Sequence, residues 1–335
     1  MRFRRLLILI LAVTGSAVSS ASGQTHPLLP PLLDQIPLPQ TQSSITPSAA
    51  LTERFWLVSS RKCNDAVRPG GPCCVPEYLQ CDGSNNLQRI SAEQLRSSLI
   101  PGVPICLKVH GSFVNFETSY EDARNTVRWL RNAAGDCPFQ MVFFTWPSDR
   151  NISLIPQFDV GVLGRRASRT GFFVADLINQ FPPECPVCVI GHSHGARVTS
   201  SALHLMGGGS VEGAVYRRAV VPRRIRAILV AAAIDHHWLN PGKRFGRALC
   251  VTESLLNFRN KYDCALVIYA LRRPFGHRAL AISGFTDKDR RQLGPRARRI
   301  REIDISRKLP RQHIWPRFYE RPEMAVLFLS DVLFR

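Results

Sequence analysis

The feature that most constrains this chain is a five-residue turn, Gly191-His192-Ser193-His194-Gly195, set between two patterned runs. Residues 187–190 are apolar and mostly β-branched, which predicts a strand. Residues 196–206 predict a helix, closed by Gly207-Gly208-Gly209. The G-x-S-x-G pattern is weak on its own. Between a strand and a helix it describes a sharp turn that holds a serine above the end of a sheet. Gly191 and Gly195 remove the side chains that would clash in such a turn. Ser193 is therefore the candidate nucleophile.

The rest of the chain repeats the strand–helix alternation. Strands are expected at 55–59, 104–109, 141–145, 187–190, 225–233, 255–258 (the weakest) and 300–305. Between them, Tyr120, Ala123, Val127, Leu130 and Ala134 follow the spacing of one helix face. Thr118 and Glu121 match a capping box for that helix, and Gly135 is placed to end it. A second helix is expected around 173–178, ending before Pro182, and a last one opens at Pro322. Alternation of this kind predicts an α/β fold. Its form is a three-layer α/β/α sandwich on a mostly parallel sheet. Ligands on such sheets bind at the carboxyl ends of the strands.

A serine hydroxyl needs a base, and the base needs an orienting acid. In this kind of fold the chain order is serine, acid, histidine. His313 is the first candidate for the base, because it lies between the last strand and the last helix. His204, His236, His237 and His277 compete less well by position. Asp263, after the weak strand, is the first candidate for the acid, and Asp235 is the alternative. The oxyanion that forms in acyl transfer needs backbone N–H donors. One is expected from His194. The other is expected from Ser112 in His110-Gly111-Ser112, where Gly111 allows close backbone approach after an early strand.

Composition bounds the setting. Of the 335 residues, 45% are hydrophobic and 21% charged, enough for one large folded domain. Arg2, Arg4 and Arg5, an apolar run from Leu6 and the small residues Ala21-Ser22-Gly23 form a secretory signal layout. The expected organisation is a signal at 1–23, a Pro/Ser/Thr-rich leader at 24–52 and one domain at 53–335, in an exported protein. Ten cysteines in an exported chain predict disulfides, with Cys63, Cys73, Cys74 and Cys81 read as a stapled loop. Cys185 and Cys188 have CxxC spacing but no second pair at metal spacing, so they are read as structural, and no metal is expected. The net charge of +19 gathers at Arg217, Arg218, Arg223, Arg224 and Arg226, and at Arg290, Arg291, Arg296, Arg298, Arg299 and Arg301. These clusters offer contact with anionic surfaces, although solvated loop charge is the preferred reading. No nucleic-acid-binding signature accompanies them, and no specific nucleic-acid binding is expected.

From about Phe55 onward these residues resemble the α/β-hydrolase superfamily. More narrowly, Phe144-Thr145-Trp146-Pro147-Ser148, the Ser193 turn and Tyr262-Asp263-Cys264-Ala265-Leu266 resemble a bacterial group of such hydrolases without an assigned substrate. The resemblance implies a serine esterase mechanism without a cofactor, and it favours Asp263 over Asp235. One departure is that Gln312, rather than glycine, precedes His313. The expected function is an exported carboxylic-ester hydrolase acting on a small-molecule or lipid ester. The alternatives are a lipase at anionic membranes, an amidase or peptidase using the same groups, and a non-catalytic binding protein on a hydrolase fold.

Overall fold

The computed structural model describes residues 54–63, 67–68, 71–72, 74–82, 86–149, 156–272 and 276–335. The expected signal and leader, and Cys73, lie outside the described residues. Nine strands form the main sheet: β1 (Phe55–Ser59), β2 (Glu77–Cys81), β3 (Leu87–Ile90), β4 (Ile105–Val109), β5 (Gln140–Thr145), β6 (Val187–His192), β7 (Ile225–Val230), β8 (Ser254–Arg259) and β9 (Ile300–Asp304). Their spatial order is β9-β8-β7-β6-β4-β5-β1-β2-β3. From β1 to β9 every pairing is parallel; β2 and β3 add an antiparallel edge.

The helices are α1 (Ala92–Ser98), α2 (Phe116–Ala134), α3 (Pro156–Gln180), α4 (His194–Met206), α5 (Leu280–Ser283), α6 (Asp287–Leu293), α7 (Pro316–Tyr319) and α8 (Pro322–Val332). They cover both sheet faces, so each strand is apolar on both sides. Ile105, Leu107 and Val109 join the core under α3 and α4, while Cys106 between them joins the core under α2, α7 and α8. This is the three-layer α/β/α architecture on a mostly parallel sheet that the alternation predicts. None of the described helices is long and apolar enough to cross a membrane.

The topology creates the site. From β4 to β5 the chain steps one way along the sheet; from β5 it crosses back over β4 to reach β6. The order therefore reverses at β4 and β6, which lie side by side with Val109 opposite Gly191. Ligands on open α/β sheets bind outside the carboxyl ends of the strands at such a reversal. The segments leaving those ends are the 110–114 loop and the Ser193 turn.

Several local expectations need correction. Helix α2 starts at Phe116, capped by Asn115, whose side chain accepts from the Thr118 N–H at 2.8 Å. Asparagine caps at least as well as threonine, so the Thr118–Glu121 box lies inside the helix instead. Helix α3 starts 17 residues before Phe173. Ahead of Phe173 it lacks a clear apolar stripe because it packs on α4 through small residues: a Cβ on Gly171 would lie 2.4 Å from Ser201 Oγ. Strand β7 stops at Val230, where Ala231 turns to a φ of 47°. Of the expected disulfides, the described residues contain Cys63–Cys74, while Cys81, Cys106, Cys137, Cys185, Cys188, Cys250 and Cys264 are free. Cys185 and Cys188 are buried in the cores on opposite faces of the sheet, so they fill space and do not face each other. Burial pushes both thiols above their ordinary range.

Candidate active site

Ser193 sits at φ 54° and ψ −121°, a strained conformation for a residue with a side chain. Its N–H donates to Val230 O at 2.9 Å, and its carbonyl accepts from Ala196 and Ala233 N–H groups at 3.0 and 3.3 Å. Neighbours on β7 and α4 thus hold the strain in place. The flanking glycines are needed for contact with other backbone. A Cβ on Gly195 would lie 2.3 Å from Val109 O and 2.6 Å from His110 O; one on Gly191 would lie 2.7 Å from Ala196 Cα. A Cβ on Gly111 would lie 2.9 Å from Ser193 Cβ. Neither a strand carbonyl nor a helix Cα can rotate away as a long side chain can. Gly195→Ala is therefore expected to cost about 3 kcal/mol of stability, as severe overpacking does. For a domain this size that lowers Tm by roughly 6–9 °C, readable by calorimetry; an unchanged Tm would mean the turn is looser than drawn.

Ser193, His313 and Asp263 come together from three separate segments. His313 Nε2 lies 2.9 Å from Ser193 Oγ, and His313 Nδ1 lies 2.8 and 3.0 Å from the two Asp263 carboxylate oxygens. A carboxylate only accepts, so Nδ1 carries the proton and Nε2 presents its lone pair to the serine hydroxyl. Asp263 is fully buried and also accepts from the N–H groups of Ala265 and Leu266, each at 3.0 Å. Asp235, the other acid considered, accepts from the Tyr269 hydroxyl at 3.0 Å and pairs in a bridge with Ala279. His204 is turned away, with Nδ1 accepting from Arg247 N–H and Nε2 donating to Ser210 O.

The two histidines inside the turn each reach a neighbouring loop, a role not apparent in the pentapeptide. His192 Nε2–H donates to His313 O at 2.6 Å. Burial, then the nearby His313, holds His192 well below the ordinary imidazole range, so it remains a neutral clamp. Below that loop, Trp315 stacks on Phe318 and covers the buried Lys108 ammonium at 4.4 Å. Burial, opposed by Asp122, lowers Lys108 to about 8. His192→Phe keeps an aromatic ring against Trp315 and Phe318 but orphans the His313 carbonyl. An unmet hydrogen bond of this kind costs about 1–3 kcal/mol. If this loosens the base loop, kcat should fall roughly tenfold to a hundredfold, with KM nearly unchanged. A purely structural role would lower Tm without that kcat–KM split.

His194, the first residue of α4, carries the expected oxyanion N–H. Its ring Nδ1 lies 2.6 Å from Ser112 Oγ, which ties the turn to the 110–114 loop. That loop is braced from behind. His110 stacks on Trp146 at 5.9 Å, donates through Nδ1 to Gly111 O, and accepts the Trp146 N–H at Nε2. Trp146 Nε1–H donates to His110 O at 3.0 Å, and Phe113 N–H donates to Ser148 O at 2.7 Å. The Phe144-to-Ser148 segment thus buttresses the loop. Burial keeps His110 neutral, well below its ordinary range.

Many residues of the arginine clusters have partners within the fold. Arg224 and Arg226 pair with Glu253, Arg218 with Asp176, Arg290 with Glu302 and Arg301 with Asp331. Arg223 and Arg299 donate to backbone carbonyls.

No protein-family model matches the chain, and no curated protein matches it either. Seven chains of solved structures match. One is an acetyl xylan esterase solved at 0.90 Å, 15% identical, covering 70% of this chain and 100% of its own, with a TM-score of 0.33. Another is the catalytic core domain of acetyl xylan esterase from Trichoderma reesei, 15% identical, covering 70% of this chain and 96% of its own, with a TM-score of 0.31.

Proposed function

We propose that this protein is an exported serine hydrolase of carboxylic esters that works through an acyl-enzyme on Ser193. The observation that carries the reading is the continuous hydrogen-bond line from Ser193 Oγ through His313 to the buried Asp263. His313 Nε2 takes the serine proton as Oγ attacks the ester carbonyl. The N–H groups of His194 and Ser112 receive the oxyanion. The protonated imidazole, steadied by Asp263, gives its proton to the leaving alkoxide. Water then enters, loses a proton to His313 and releases the acid, restoring Ser193. No step needs a cofactor. The Cys63–Cys74 disulfide suits the oxidising compartment that export would supply.

A second reading, that the ester is a lipid met at a surface, is favoured by the exposed apolar side chains. Phe113 follows Ser112, Ile314 follows His313, and Tyr262, Val267, Ile268 and Leu271 flank Asp263; all six are exposed. They gather on the loops that carry the candidate machinery, and exposed apolar patches often mark binding sites.

The test is labelling of the mature protein with a fluorophosphonate probe, followed by competition with short-chain esters, long-chain esters and anilides. Labelling blocked best by esters is the expected result. Preference for long chains, strengthened by anionic vesicles and lost at high salt, would select the lipid reading. Failure of well-folded protein to label would replace catalysis with a binding role.

A further inference from the structure

Away from the Ser193 line, three histidines converge. His236 and His237 follow β7, and His277 precedes α5. The two segments are fastened by the Asp235–Ala279 bridge and by His236 N–H donating to Arg278 O at 3.2 Å. One side-chain nitrogen from each histidine lies within 4.8 Å of the other two. We propose that His236, His237 and His277 form a binding site for a divalent transition metal, with zinc the best fit, and that Asp289 orients His236 within it.

The chemistry of the donors supports this. His236 Nδ1–H donates to Asp289 Oδ2 at 2.6 Å, which leaves its Nε2 lone pair for a metal. A carboxylate behind a ligating imidazole fixes the ring and raises its basicity. Asp289 is itself held rigidly, accepting from the Thr286 N–H and hydroxyl and from Asn240 Nδ2. His237 Nδ1 is buried and has no hydrogen-bond partner among the described residues. Buried ring nitrogens rarely go unsatisfied, and a cation is a natural partner for one. The rings also crowd edge to face, His237 and His277 having centroids 4.2 Å apart. Two buried carboxylates, Asp235 and Asp289, lie beside the histidines and offset a dication.

Imidazole nitrogens favour zinc, copper and nickel over magnesium and calcium. Tetrahedral zinc at about 2.0–2.1 Å from each nitrogen needs them about 3.3 Å apart, a side-chain adjustment from the present spacing. The exposed His277 leaves a way in and a fourth position for water or an anion. The site would brace a segment that already touches the turn: Tyr269 hydroxyl joins Asp235 to Ala233 O, and Ala233 N–H donates to Ser193 O.

The experiment uses untagged, chelator-stripped protein titrated with zinc by calorimetry and with cobalt by visible absorption. Expected are one equivalent of zinc with a micromolar or tighter Kd, tetrahedral cobalt bands, a Tm raised by zinc and no response to magnesium. His237→Ala and His277→Ala should each weaken binding by at least about tenfold, and Asp289→Asn by roughly tenfold. The exposed His277 makes its variant a safe test of a folded protein. Zinc binding that persists unchanged in both histidine variants, as it would if carried by the exposed Cys250, would overturn the proposal. So would absence of zinc binding to the unaltered protein.

Discussion

Ser193→Ala and His313→Ala are each expected to lower kcat by roughly 10⁶-fold, and the double variant is expected to lose little more. The reason lies in their mutual dependence. A serine hydroxyl at neutral pH is a poor nucleophile until a base removes its proton, and His313 Nε2 is the group 2.9 Å from it. Without the base the hydroxyl stays protonated; without the hydroxyl the base has nothing to activate. Each removal therefore disables the same step. About 10³-fold acceleration over water should survive, supplied by the backbone donors and by binding. Steady-state kinetics on an activated ester, with circular dichroism to establish folding, measures all three variants. Losses that multiply would mean that the two side chains act independently. Full activity in Ser193→Ala would remove Ser193 from the chemistry.

What the sequence exposes of this site is what is local. The turn announces itself because glycines, strand and helix are contiguous, and the structure has both glycines pressed against backbone. The loop after β4 is legible for the same reason. The roles of His192 and His194 are hidden because their partners, His313 O and Ser112 Oγ, lie 121 and 82 positions away. The three-histidine cluster is hidden likewise: 236, 237 and 277 show no metal spacing, and only the pairing of two loops brings them together.

The fold shows the same division. Buried parallel strands read clearly because both of their faces are apolar. The part of α3 ahead of Phe173 does not, since close packing of Gly171 on α4 takes the place of an apolar stripe. The edge strands β2 and β3 fall beside the Gly-, Pro- and Cys-rich stretch and carry mixed burial, so no clean alternation marks them. The cysteine count suggests more cross-links than the described residues contain, because several cysteines, such as Cys106 and Cys188, serve as core packing.

The acid is the point where the residues alone left two candidates, since Asp235 and Asp263 both follow strands. Asp263 lies against His313 and Asp235 against Tyr269, and a pair of isosteric substitutions tests which of them serves as the acid. In Asp263→Asn the Ala265 and Leu266 N–H groups, each 3.0 Å from Oδ1, keep the amide oxygen where Oδ1 was. The amide nitrogen then occupies the Oδ2 position, 2.8 Å from His313 Nδ1. It is a donor, so Nδ1 must become the acceptor and the ring proton must move to Nε2. Nε2–H then faces Ser193 and cannot take its proton. A wrong tautomer of this kind costs about 10⁴ in kcat with the fold intact, or about 5 kcal/mol of barrier. Asp235→Asn keeps an acceptor for the Tyr269 hydroxyl and should leave kcat within about tenfold, the scale of a perturbed neutral hydrogen bond. Nitrogen chemical shifts of His313 should report the exchanged tautomer in the first variant and not in the second. The opposite ranking of the two variants would transfer the acid's role to Asp235.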